Sequence, residues 1–87
     1  MEDPQPLNVQ CSRADQSAVI TCRGSLVSEN CERLQRAIDA ALEEGVQRLR
    51  LDLAGVTVAD ASATHCIERT ILRCESVGVG FTVQPWP

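Results

Sequence analysis

The chain has 87 residues, a net charge of −4, 44% hydrophobic residues, no lysine, and Phe81 and Trp86 as its only aromatic side chains. That length makes a single domain with a thin aliphatic core, burying only ~60–65% of the surface the unfolded chain exposes. Scattered arginines without stacking rings exclude a nucleic-acid binder, and no apolar run approaches the ~20 residues of a membrane span.

The start, Met-Glu-Asp-Pro-Gln-Pro, is acidic and Pro-rich, unlike a signal peptide, so the chain is expected to be cytoplasmic. Cys11, Cys22, Cys31, Cys66 and Cys74 are odd in number and irregularly spaced. A secreted disulfide scaffold favours an even count, so reduced thiols acting as small buried hydrophobes are the plainer reading.

Residues 1–6 read as a flexible tail, with Pro4 and Pro6 blocking regular structure, and 7–87 as one domain. Leu7, Val9 and Cys11 alternate with polar residues, the period of a half-buried strand. A polar turn over Arg13–Ser17 leads to Ala18–Cys22, a more continuous apolar run. It predicts a second strand, antiparallel to the first and more interior.

Gly24 punctuates, and Ser28-Glu29-Asn30 offers capping side chains. From Cys31 to Glu44 the apolar residues Cys31, Leu34, Ile38, Ala41 and Leu42 fall in steps of three and four, on one face of a helix stopped by Gly45. Leu49-Arg50-Leu51-Asp52-Leu53 alternates as a third strand. Ala54-Gly55 reads as a turn and Val56–Ala59 as a short apolar stretch.

Asp60-Ala61-Ser62 predicts the cap of a second helix whose apolar positions are Ala63, Cys66, Ile67, Ile71 and Cys74, ended by Glu75–Gly78. Val79–Val83 is a last strand. Trp86, between two prolines, either folds over the sheet edge or anchors a partner. The order β-β-α-β-α-β predicts an α/β fold, a four-stranded mixed sheet with two helices joined by βαβ crossovers.

Two segments carry a family resemblance. Cys22-Arg23-Gly24-Ser25-Leu26 before a capped helix resembles the "G-E-L-D" strand end of STAS domains. Leu51-Asp52-Leu53-Ala54-Gly55-Val56-Thr57-Val58-Ala59-Asp60-Ala61-Ser62 resembles their hallmark L-D-L-x-x-V-x-x-x-D-S-S-G-L. The likeness runs from about Val19 to Val83. It implies a STAS-like (anti-sigma-factor antagonist-like) fold, here without the further C-terminal helix usual in the family, which would leave surface open to a homo-oligomer.

In the phosphorylated antagonists the residue after the motif Asp is a Ser or Thr that a cognate anti-sigma kinase modifies. A phosphate there gains from the helix dipole and changes the surface a partner reads. Asp60 is kept in this chain, but the acceptor position is Ala61, the second motif Ser is Ser62, and the motif Gly is Ala63; the "G-E-L-D" Asp falls on Val27. Switching through the usual residue is lost, and a constitutive or differently regulated binding module fits better. Ser62 is the remaining candidate for phosphorylation, beside its plainer role in capping.

The resemblance therefore implies a non-enzymatic regulatory module. It would bind an anti-sigma factor or serine kinase through the switch loop Asp60, Ala61, Ser62, Ala63, Thr64 and His65. The alternative is a STAS subunit of a larger assembly, such as an ABC-transporter ATPase complex. Asp60 serves either as orienter of that loop or as a helix cap worth ~1 kcal/mol.

His65-Cys66 invites a nucleophile–base reading, but helix neighbours project ~100° apart and do not readily pair. No Cys-x-x-Cys or His-x-x-x-His spacing places two metal ligands together, and Glu43-Glu44 and Asp52 read as solvated. No glycine-rich phosphate loop occurs, so no catalytic residue, metal or cofactor is expected.

Overall fold

The computed structural model describes residues 7–84, so the expectations for the tail at 1–6 and for Trp86 lie outside the described residues. Strands β1 (Asn8–Ala14) and β2 (Ser17–Leu26) form a hairpin; helix α1 (Cys31–Glu43), strand β3 (Arg48–Ala59), helix α2 (Ala61–Val77) and strand β4 (Gly80–Gln84) follow. The sheet order is β1-β2-β3-β4. β1 runs antiparallel to β2, while β2–β3 and β3–β4 are parallel, each crossover carrying one helix.

The hairpin closes through Asp15-Gln16, and Asp15 takes a left-handed φ of 55° that a short polar side chain tolerates. The first strand therefore runs on through Arg13 and Ala14, which the sequence pattern assigns to the turn.

Alternation then sorts the faces. Ile20 aligns with Leu51 and Leu51 with Val83, Ala18 with Leu49 and Leu49 with Phe81. These rows, with Cys22 and Leu53, meet Leu34, Ile38 and Ala41 of α1 and Ala63, Cys66, Ile67 and Cys74 of α2 in one core. Each large aliphatic side chain fully buried there contributes roughly 1.5–3 kcal/mol. The other face carries Val19, Thr21, Arg48, Arg50, Asp52 and Gln84, half-buried or exposed, and Arg50 donates to Gln84 Oε1 at 2.7 Å.

The turn expected at Ala54-Gly55 is not a turn: β3 continues without a break from Arg48 to Ala59. Thr21 pairs with Asp52 but Arg23 with Gly55, so β3 holds one residue more than β2 over that stretch. A second shift falls between Gly24 and Ser25. Bulges explain the turn-like sequence, because they free backbone groups from the ladder and bend the strand. Asp52 Oδ1 accepts from the freed Ala54 N–H at 2.9 Å. Gly24, expected to punctuate, stays within β2 with a φ of 102°.

Asn30 precedes α1 without capping it; its Nδ2 donates to Ser25 O at 2.9 Å and holds the loop instead. α2 extends over more residues than its apolar pattern marks, from Ala61 to Val77, and ends on Gly78 in the left-handed region at φ 76°. Thr70 joins its buried face, where the Oγ1 donates to Cys66 O at 2.8 Å and needs no other partner. No described helix is long and apolar enough to cross a membrane.

Candidate functional site

The parallel strands β2 and β3 both deliver the chain into a helix at their carboxyl ends, so the starts of α1 and α2 lie side by side. Crevices at the carboxyl ends of strands are where open α/β sheets present their sites. Here Asp60 fastens the two helix starts together. Its Oδ1 accepts from Ser62 N–H at 3.0 Å, capping α2, and its Oδ2 accepts from Ser28 N–H at 3.3 Å, in the loop before α1. The cap was legible in the sequence. The Ser28 contact, across 32 residues of chain, had no local signal.

Around this clip the six loop residues divide. Ala61, the first residue of α2, is exposed, as are Asp60, Thr64 and His65, while Ser62 is half-buried. Ala63 is 1% exposed and packs in the core, so it supports the ledge from beneath and offers a partner no surface. Val58 at the end of β3 is 53% exposed and extends the ledge with an apolar side chain that the sequence motif alone did not single out.

Beside the ledge an open cleft of about 340 Å³ runs between the two helix starts, bordered by Ser28, Cys31, Gln35, His65, Cys66 and Arg69 among others. A wider hollow of about 610 Å³ opens at the far end of the sheet between the helix ends. It is lined by turn residues and the ends of both helices, whereas the smaller cleft gathers two thiols and the helix starts.

The thiols here are poor nucleophiles. Burial pushes Cys66 up to about 11, with Cys31 beside it adding to the rise and Arg69 partly opposing it. Burial, then the nearby Asp60, raises Cys31 as well. The Cys66 S–H is directed at Gln35 Oε1, 3.7 Å away, and not at His65. A catalytic thiol needs the opposite surroundings, which lower its pKa. Among the described residues no three His, Cys, Asp or Glu side chains converge on a metal position.

A model of the STAS domain matches residues 8–83. The chain belongs to the STAS domain family. Its fold is shared by an anti-sigma factor antagonist from Mycobacterium paratuberculosis, with a TM-score of 0.83 and 19% identity, covering 95% of this chain and 70% of that one. It is shared too by the anti-sigma factor antagonist SpoIIAA in its unphosphorylated form, with a TM-score of 0.75 and 18% identity over 92% of this chain and 76% of that one. A third structure, of Mglu, has a TM-score of 0.79 and 21% identity, covering 88% of this chain.

The match covers only 19% of the Mglu chain. At these identities the likeness is one of fold. No curated protein matches the sequence. Ala61, which the sequence resemblance aligns with the family's phospho-acceptor, stands exposed at the start of α2.

Proposed function

We propose that this STAS domain is a non-enzymatic regulatory module that docks on an anti-sigma factor of the histidine-kinase-like ATPase type and thereby frees a sigma factor. The observation that carries the reading is the exposed ledge of Val58, Asp60, Ala61, Thr64 and His65, held by the hydrogen bonds of Asp60 to the start of α2 and to the loop before α1. A ledge fixed in this way loses little freedom on binding, and pre-organisation of that kind is a main source of affinity. Its apolar and small residues suit a protein surface. With Ala61 in the acceptor position, docking is constitutive.

Titration calorimetry of the domain against the purified anti-sigma ATPases of its own genome tests this. Saturable binding is expected, weakened at least tenfold by Ala61→Arg, which sets a long charged side chain in the middle of the contact. Wild-type and Ala61→Arg domains that bind equally, or no heat with any such ATPase, would overturn the reading.

One observation favours a second reading, a STAS module within a larger assembly such as a transporter ATPase complex: the same fold forms a small part of the Mglu chain. Stable co-purification with a transporter ATPase, in place of an anti-sigma factor, would select it.

A further inference from the structure

The five cysteines are all unpaired, and they do not share one environment. Cys22 and Cys74 are completely buried beneath the helices, where a thiol is simply a small apolar side chain. Cys11 is exposed on the edge strand β1. Cys31 and Cys66 fit neither description. They stand on different helices yet border the same solvent-reaching cleft.

Cys31 is the first residue of α1 and half-buried; Cys66 lies one turn into α2 and is 7% exposed. After burial, Cys31 is the neighbour that most raises Cys66, which places the two thiols close together, while the Cys66 S–H is given to Gln35 Oε1 at 3.7 Å. Packing alone explains a buried thiol, but not two neighbouring thiols from different helices bordering one opening to solvent.

We propose that Cys31 and Cys66 are a redox modification site, forming a reversible disulfide between the starts of α1 and α2 when a peroxide enters the cleft. Cys31, the thiol that reaches solvent, loses its proton and attacks one peroxide oxygen. An S–O bond forms, the O–O bond breaks, and the departing hydroxide takes a proton to become water. Cys66 then loses its proton and attacks the sulfenic sulfur of Cys31. The S–S bond forms, the S–O bond breaks, and the second hydroxide leaves as water.

Two thiols are oxidised by two electrons and one peroxide is reduced to two waters. A dithiol reductant reverses the change by exchange. Burial and Asp60 raise Cys31, and burial raises Cys66 against the opposing charge of Arg69, so thiolate is scarce near neutrality. The site stands whether or not the ledge docks an anti-sigma factor.

The test treats the full chain with hydrogen peroxide at mildly alkaline pH, alkylates remaining thiols under denaturing conditions, and maps the unreduced digest by mass spectrometry. The expected product is a peptide pair joined through Cys31 and Cys66, absent after dithiol reduction, with Cys22 and Cys74 still alkylated. Cys31→Ser and Cys66→Ser should each abolish it. Should a serine variant fail to fold, the wild-type map decides alone. Full alkylation of Cys31 and Cys66, a Cys22–Cys66 link, or only an intermolecular Cys11 product would overturn the proposal.

Discussion

The carboxylate of Asp60 accepts one backbone N–H on each side of the cleft, from Ser62 and from Ser28, and so couples helix capping to the shape of the ledge. Asp60→Ala should lower stability by about 1–2 kcal/mol, the range for loss of a helix cap, read as a lower urea midpoint. Asp60→Asn keeps an oxygen acceptor and should lose less. An unchanged midpoint in Asp60→Ala would show that the clip contributes nothing.

The residue after it tests the family logic. Incubated with an anti-sigma kinase and ATP, the wild type should take no phosphate, whereas Ala61→Ser should be modified at position 61. Phosphate on Ser62 of the wild type would contradict this. The capping role was legible because Asp60-Ala61-Ser62 precedes an apolar periodicity. The partnership with Ser28 was not, since it depends on two loops meeting in space. Asn30 misled for a related reason: its Nδ2 donates to Ser25 O, and its side-chain oxygen accepts no N–H from the helix start.

Among the elements, the helices were the most legible, since α1 buries Leu34, Ile38 and Ala41 at the spacing the sequence displays. β3 was the least. Ala54-Gly55 carries the composition of a turn, and only the partner strand shows that the chain continues through a bulge. Thr70 was absent from the expected core because its hydroxyl looks polar in sequence, yet it is satisfied by its own helix.

At the bulge a Cβ on Gly55 would lie 2.6 Å from Arg23 Cγ and 3.2 Å from Cys22 O. The Arg23 side chain must leave its place over the glycine, and the carbonyl must shift with its strand. Gly55→Ala should therefore cost about 1–3 kcal/mol by overpacking. In chemical denaturation, Arg23→Ala should recover part of that loss when combined with it. Strict additivity of the two changes would show that the contact is not the cause.

At the scale of the whole molecule, the sheet has one face buried under two helices and one open, and the core closes over thiols as well as aliphatics. Cys22 and Cys66 titrate at about 12 and about 11 in the fold, against an ordinary thiol value of 9.0, with burial the chief cause. Above pH 9 the unfolded chain gives up thiol protons that the fold retains, so unfolding is favoured as pH rises. Stability should be complete below about pH 9 and fall from there towards the folded values. Urea midpoints measured across that window check it, and Cys22→Ala should flatten the decline. A midpoint that rises with pH would contradict the assignment.

The order β-β-α-β-α-β, the antiparallel hairpin and the inward leucines were all readable from periodicity. The division of the loop into exposed and buried residues needed the packed structure, where Ala63 turns inward while Ala61 and Val58 turn out. That division is the basis of the docking reading, and amide hydrogen exchange on the complex with the anti-sigma ATPase tests it most directly. Slowed exchange should concentrate in residues 58–65 and in the loop before α1, with β1 and the open sheet face unchanged. Protection centred on the open sheet face, with the helix starts exchanging as in the free domain, would contradict the account.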